Sequence, residues 1–288
     1  MPMSRGWRRW AAGVSGAAIV AVLAAAPRQV TSAANPKEAV KRPAAKSVDL
    51  RPVFAHWGTE PRRQGARNTC SAFVVSGALE YALADLQRRG TRLSVEFLNW
   101  ASNQAIGKAD DGGFFSDLWK GFAAYGICPE ADLPYRARFD PKLQPSDEAM
   151  AHARKLRSLG LDLHWIKRWD VTTGLTEEEF LEIQQTLARR WPVCAGLRWP
   201  KRERWEGEVL QWADADGVRD GHSVLVVGYR DDPAQPGGGV LLFRNTANGG
   251  RDGAMTYRYA RTYINDAAWI GHGPASASAK PPRPGSDG

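Results

Sequence analysis

Gln64-Gly65-Ala66-Arg67-Asn68-Thr69-Cys70-Ser71-Ala72-Phe73 decides how the rest of this chain is read. A helix begins inside the stretch. From Thr69 or Cys70 onward, Phe73, Val74, Gly77, Ala78, Tyr81 and Ala82 recur at three-and-four spacing, and the run closes on Arg88-Arg89-Gly90, basic residues before a capping glycine. Cys70 therefore stands in the first turn of a long helix. Unpaired backbone N–H groups and the positive end of the dipole favour a thiolate there. Gln64, six residues earlier, carries an amide that can donate to an oxyanion together with the Cys70 backbone N–H. Far downstream, Gly221-His222-Ser223 supplies an imidazole and Asn245 a second amide. A thiol, an imidazole and an amide in this order are the parts of a cysteine nucleophile with its base and its orienter. They point to acyl transfer through a thiolate, with peptide hydrolysis as the leading expectation.

The surrounding sequence divides into a helical half and a strand-rich half. A second helix is expected from Ser94, with Glu96 in its first turn, a third capped by Ser116 and ending at Tyr125-Gly126, and a fourth from Ser146-Asp147-Glu148 through Leu156. Thr176-Glu177-Glu178-Glu179 is a capping box opening a further helix to Arg190. Short apolar runs follow at Val193–Leu197, Ser223–Tyr229 and Val240–Phe243. The loop Asp231-Asp232-Pro233-Ala234-Gln235-Pro236-Gly237-Gly238-Gly239 joins the last two as a hairpin. His222 precedes one hairpin strand and Asn245 follows the other, so pairing would set them side by side. The fold class expected is α+β, with the site in the cleft between the halves.

Composition narrows the partners. The chain has 288 residues, 43% hydrophobic and 24% charged, as in an ordinary globular protein. The formal charge of +8 is partly N-terminal: Arg5, Arg8, Arg9 and Arg28 fall in the first 34 residues, which hold no acid, and without them the balance is +4. Arg88-Arg89 and Arg189-Arg190 are pairs rather than runs, so nucleic-acid binding is not expected. Residues 1–34 read as an export signal: a charged start, an uncharged small and apolar stretch from Ala11 to Ala26, and Ser32-Ala33-Ala34 as a cleavage position. The stretch is shorter than the ~20 residues a spanning helix prefers; an uncleaved anchor is the alternative, and only that would bring a membrane association. Either way the folded part is expected outside the cytoplasm, periplasmic or secreted. Residues 35–47 read as a linker, 48–273 as the globular domain and 274–288 as a disordered tail. The three cysteines, Cys70, Cys128 and Cys194, are too few for a disulfide scaffold. Cys194 lies in an apolar run as a small buried hydrophobe, and the pairing of Cys128 with Cys194 stays open. The scattered histidines and cysteines match no metal-ligand spacing, and no metal or cofactor is expected.

On these motifs the sequence resembles the papain-like cysteine peptidases over about residues 48–272. Val48-Asp49-Leu50-Arg51 resembles the start of the mature enzymes, and Gln64-Gly65 with Cys70-Ser71-Ala72-Phe73 the oxyanion-glutamine and nucleophile segment. Leu93-Ser94-x-Glu96, Asp111-Gly112-Gly113-Phe114, Tyr125-Gly126-Ile127 and Leu133-Pro134-Tyr135 are similar to further family segments. Gly221-His222-Ser223-Val224-Leu225-Val226-Val227-Gly228-Tyr229 matches the histidine strand, and Phe243-Arg244-Asn245-Thr246 the asparagine segment. The resemblance implies a two-lobed fold and a peptide or protein substrate. It implies Cys70 as nucleophile, His222 as proton shuttle, Asn245 as its orienter and Gln64 as oxyanion donor. It further implies Gly112 and Gly113 pairing with substrate backbone, which missing side chains permit, and Phe114, Gly196 and Ser223 lining the pocket for the side chain before the one at the cut. Three positions depart from the family pattern: Ser71 where a tryptophan follows the nucleophile, Arg67 where a disulfide cysteine stands, and Ala247 where an indole shields the Asn–His bond. Trp199, Trp205 and Trp212 are read as core or loop packing, with substitute cover as the other reading. The interval between Ala34 and Val48 is too short for an inhibitory propeptide of the family's kind. Two other uses of the same residues remain open: gripping peptides without cutting them, and acyl transfer to an amine.

Overall fold

A single helix packed across one face of a large sheet positions everything that follows. The computed structural model describes residues 41–170, 172, 174–247 and 250–272. The chain divides into Met1–Glu38 and Ala39–Gly288. The export segment 1–34, the first part of the expected linker and the tail 274–288 lie outside the described residues.

The N-terminal part comprises a short strand β1 (Ser47–Asp49) and helices α1 (Arg51–His56), α2 (Cys70–Gln87), α3 (Val95–Ile106), α4 (Phe115–Tyr125) and α5 (Asp147–Arg157). α2 starts at the nucleophile segment, as the spacing predicts. Fourteen of its eighteen residues are buried, so it is apolar nearly all round, as a helix enclosed by its neighbours must be. Its last residue, Gln87, is three before the expected glycine, because Arg88 itself takes the left-handed conformation at φ 55°. Ser94 and Ser146 cap α3 and α5 by accepting from the N–H groups of Phe97 and Ala149. Ser116 does not cap α4: the helix begins one residue earlier, and Phe114 stands at the N-cap without a side-chain bond.

The C-terminal part adds β2 (Leu161–Lys167), α6 (Glu177–Ala188), β3 (Val193–Pro200), β4 (Trp205–Glu206), β5 (Val209–Leu210), β6 (Val218–Asp231), β7 (Gly239–Asn245), β8 (Arg251–Thr256), α7 (Tyr257–Tyr263) and β9 (Ile264–His272). The Thr176 capping box forms at α6 with both reciprocal bonds. The nine strands of the described residues join one sheet in the order β2-β9-β3-β6-β7-β8-β5-β4, with β1 pairing against the far end of β6. The sheet is antiparallel except between β5 and β8. The fold class is therefore α+β, as expected.

Gly77 sets the distance between α2 and the sheet. A Cβ there would stand 3.2 Å from the Leu225 side chain on β6, so the missing side chain is what lets the helix lie close to that strand. The main core fills the space between them, from Val74, Ala78 and Leu79 on α2 to Val224, Val226 and Phe243 in the sheet. A second cluster around Phe97, Cys128, Leu133 and Ala153 lies among α3, α5 and the segment between α4 and α5. Residues 41–46 run beside the end of β6. Lys46 accepts from the Asp231 N–H at 2.8 Å, and Ala45 accepts from the Tyr229 hydroxyl at 2.8 Å. No helix among the described residues is long and apolar enough to cross a membrane.

Candidate active site

The hairpin of β6 and β7 brings His222 and Asn245 together. His222 Nε2 lies 3.0 Å from Asn245 Oδ1. Both residues sit within their strands rather than beside them as the sequence suggests: β6 extends four residues before His222, and Asn245 is the last residue of β7. Between Leu197↔His222 and Trp199↔Arg219 the pairing of β3 with β6 slips by one residue. Such a bulge bends the strand and re-aims side chains beside it. It falls at Asp220-Gly221, where Gly221 has φ +91°, immediately before the imidazole. An amide oxygen accepting at Nε2 fixes the proton there and leaves Nδ1 as the free basic nitrogen.

Cys70, the first residue of α2, approaches the same place from the helical side. Its thiol donates to the Gly221 carbonyl at 3.8 Å and is 8% exposed. Burial pushes the thiol up. The N–H and hydroxyl of Ser223 and the first N–H groups of α2 act in the opposite direction. Burial likewise drives His222 down to about 4, against the Asn245 bond and the charge of Glu203, with Arg219 adding to the depression. Taken singly, each group is held neutral. A thiolate and an imidazolium standing together at neutral pH, which the helix-start argument favours, would have to be carried by their mutual attraction.

Gln64 is clamped before the helix. Its backbone N–H donates to Thr246 O at 3.0 Å, its Oε1 accepts from the Thr246 hydroxyl at 2.7 Å, and its Nε2 donates to Arg67 O at 2.8 Å. The carbonyl partner settles which end of the amide is nitrogen. Tyr135 fastens the same loop. Its hydroxyl donates to Gln64 O at 2.9 Å, so the 2.7 Å contact with Thr69 has the threonine as donor. Ser71, standing where the family pattern has an indole, accepts the Gly113 N–H at 3.2 Å. Gly112 donates to Asn99 Oδ1 at 2.8 Å, and a Cβ on it would meet Asn68 O at 2.4 Å. The two glycines thus lie against the nucleophile loop, with both N–H groups already bonded within the protein. Phe114 is 49% exposed, and its ring lies edge-on to Trp169, itself 50% exposed, at 5.3 Å.

Gly196 and Ser223 face each other across β3 and β6, and Asp266 completes the row on β9. A Cβ at Gly196 would meet Asp266 Oδ1 at 1.9 Å, so the carboxylate fills the space a side chain would need. Burial raises Asp266 to about 6, against the Gly196 N–H and Lys167. A raised carboxylate costs stability above its native value and not below its unfolded one; a depressed histidine costs stability below its native value and not above its unfolded one. Over roughly pH 4–6.5 the two effects oppose each other, each on the order of 3 kcal/mol. Asp266→Asn is expected to be more stable than wild type above pH 6.5, with the gain vanishing near pH 4. Thermal melts at pH 4 and pH 8 check this, and an equal difference at both would refute it.

Trp199 packs its ring 4.4 Å from that of His222, which fits substitute cover, the second of the two readings given for it, rather than packing alone. Several other contributors were not among the candidates read from the sequence. Glu203, Asp266 and Trp169 had no signal beyond their residue type, and Tyr135 entered only through the Leu133-Pro134-Tyr135 segment, with no role read for it. Cys128 and Cys194 are both free and buried. Burial raises Cys128 to about 12, and Cys194, held fully inside, is also pushed up. Among the described residues no cluster of three histidines, cysteines or acids could hold a metal.

A thiol at a helix start, with a half-buried imidazole bonded to a buried amide on the facing hairpin of an α+β frame, fits a cysteine hydrolase of the two-lobed type. The family model for papain family cysteine proteases matches residues 44–262, and the chain belongs to that family. It is accordingly a thiol protease, a hydrolase acting on peptides or proteins. Among solved structures the chain is similar to xylellain, a cysteine protease from Xylella fastidiosa (21% identity, TM-score 0.61, covering 83% of this chain and 91% of that one). It is similar to digestive procathepsin L 3 of Tenebrio molitor larval midgut (21%, TM-score 0.56, 82% and 73%). It is also similar to the proform of the ragweed pollen allergen Amb a 11, a cysteine protease (19%, TM-score 0.54, 81% and 66%). These likenesses show the fold. A search of curated proteins returned no match.

Proposed function

We propose that this protease is exported and cuts peptide bonds through Cys70, His222 and Asn245, with Gln64 as oxyanion donor. The observation that carries the reading is the 3.0 Å bond from His222 Nε2 to Asn245 Oδ1, opposite a thiol bonded to the residue just before that histidine. His222 Nδ1 takes the thiol proton as sulfur bonds to the scissile carbonyl carbon. The carbonyl electron pair moves onto oxygen, where Gln64 Nε2 and the Cys70 N–H donate. Nε2 of Gln64 carries two hydrogens and spends one on Arg67 O, which leaves one for this task. The imidazolium then protonates the leaving amine. Water, deprotonated by His222, attacks the thioester and frees the acid and the thiol. Burial opposes each charge taken singly, so a standing thiolate–imidazolium pair would depend on the attraction between the two groups.

Gly112 and Gly113 form the floor on which substrate backbone lies. Their N–H groups are engaged, so pairing uses the Gly113 carbonyl or displaces Ser71. Phe114, Gly196 and Ser223 line the neighbouring side-chain pocket, where Asp266 supplies a carboxylate beneath Gly196. Export rests on Arg5, Arg8 and Arg9 followed by the uncharged Ala11–Ala26 stretch.

Mass-spectrometric mapping of iodoacetamide on the folded protein, with a peptide library run beside it, tests this reading. Cys70 is expected to label selectively, with Cys128 and Cys194 as inert controls, and library peptides are expected to be cut. A Cys70 as unreactive as the two controls would refute it. That outcome would leave the non-cutting peptide binder as the reading.

A further inference from the structure

We propose that Glu203 is a positioning residue for the reaction, holding the Trp199 indole against the His222–Asn245 pair and placing a negative charge within reach of the imidazole. The inference rests on the proposed roles of Cys70, His222 and Asn245.

Ala247 leaves the Asn–His bond without an indole from its own segment, and the cover comes from β3 instead. Trp199 is 2% exposed, with its ring 4.4 Å from that of His222. Nothing in the strand pairing alone fixes the tilt of that indole. Glu203, in the loop between β3 and β4, does so: Oε1 accepts the Trp199 Nε1–H at 2.8 Å, and Oε2 accepts the Trp205 Nε1–H at 3.1 Å. One carboxylate thus holds two indoles, one at each oxygen. Both indoles pack on Phe243, at 5.9 and 6.4 Å between ring centroids. Phe243 lies on β7 two residues before Asn245. The clamp therefore touches the imidazole directly through Trp199 and the asparagine strand through Phe243. The Arg251 guanidinium lies over Trp205 at 4.2 Å.

A neutral acceptor could hold one indole as well; the carboxylate adds a field. The groups acting on His222 are Asn245 from β7, Arg219 from its own strand and Glu203 from the loop after β3, with the Cys70 thiol facing the neighbouring Gly221 carbonyl from α2. Of the fixed charges, Glu203 favours the imidazolium and Arg219 opposes it. A protonated imidazole is needed twice in the cycle, after the thiol gives up its proton and before the amine leaves. Removing the negative charge raises the cost of both moments. Removing the positive one lowers it.

The test compares wild type, Glu203→Gln, Trp199→Phe and Arg219→Gln by the pH dependence of kcat/KM on a peptide substrate and of Cys70 alkylation by iodoacetamide. Glu203→Gln is expected to lower kcat roughly tenfold with KM within about twofold, and to move the alkaline limb of both profiles about half a unit to lower pH. Arg219→Gln, at an exposed site, is expected to move the same limb to higher pH. These opposite signs are an electrostatic signature that loss of packing cannot produce. Trp199→Phe keeps a ring over the imidazole but severs the carboxylate bond, and is expected to lower kcat several-fold. A folded Glu203→Gln with an unmoved limb overturns the proposal, as does a limb that moves the same way in Glu203→Gln and Arg219→Gln. If Glu203→Gln fails to fold, Trp199→Phe with wild-type kcat or Arg219→Gln without a rise in the limb overturns it. Failure of the functional reading looks different: Cys70 in the wild type would then be inert, or alkylated at a rate that His222→Ala leaves unchanged.

Discussion

Cys70→Ala is expected to reduce peptide turnover by at least about 10⁴-fold, the scale on which loss of a covalent nucleophile is felt, while the fold stays close to wild-type stability. The two halves of this expectation have separate physical grounds. Sulfur is the atom that bonds to substrate carbon in the proposed cycle, and no neighbouring group substitutes for it. Ser71 is spent on Gly113, and Cys128 and Cys194 lie buried in two different core clusters. Stability changes little because the hydrogen bond the thiol donates is long, 3.8 Å to Gly221 O, and alanine suits a helix start. Truncation removes one sulfur atom from a position at the lip of the core, a loss on the order of 1 kcal/mol. Steady-state kinetics with a peptide substrate and a thermal melt on the same preparation check both parts. Turnover persisting in a folded Cys70→Ala protein would remove Cys70 from the mechanism.

The features read ahead of the structure are those in which local chemistry and long-range order agree. The α2 start, the Ser94, Ser146 and Thr176 caps, and the β6–β7 hairpin follow from short-range rules, and the observed elements keep them. The helix ends are less legible: Arg88 stops α2 in a left-handed conformation that glycine was expected to supply, and α4 starts without its predicted serine cap. The sheet beyond the hairpin was hidden for a different reason. β9 is buried along nearly its whole length, so it lacks the alternation that marks a half-exposed strand, and Asn265-Asp266 interrupts the apolar run that marks a buried one. The parts of the site whose roles escaped reading, Glu203, Tyr135 and Asp266, act through tertiary neighbours. Their roles come from which strand or loop lies next to theirs, and no local pattern carries that.

Arg67→Ala is expected to cost about 3–5 kcal/mol of stability, the range for removing one partner of a buried ion pair. Arg67 stands where the family pattern has a disulfide cysteine, and its guanidinium ties the nucleophile loop to α3, to the segment before the glycine pair and to the Arg136 backbone. It meets Glu96 on α3 at 2.5 Å, Asp111 before the glycine pair at 2.7 Å, and the Arg136 carbonyl at 2.9 Å. It also lies over the Tyr135 ring at 4.8 Å. Its side chain is 4% exposed and that of Glu96 is 2% exposed. Alanine would therefore leave the Glu96 carboxylate buried with little beyond the Arg136 N–H to balance it. Neutralising that carboxylate should restore part of the loss: Arg67→Ala with Glu96→Gln is expected to be more stable than Arg67→Ala alone, and a double-mutant cycle measures the coupling. Activity should fall with stability, because the Arg67 carbonyl is what orients the Gln64 amide. The same substitution separates this chain's design from a disulfide-held loop. All three cysteines are free, so reductant should leave the wild-type melting temperature unchanged, whereas Arg67→Ala should lower it by about 10 °C for a domain of this size. A variant that melts within a degree or two of wild type would mean that the arginine cluster rides on a loop held elsewhere, by the Tyr135 hydroxyl and the Gln64–Thr246 bonds, rather than holding it.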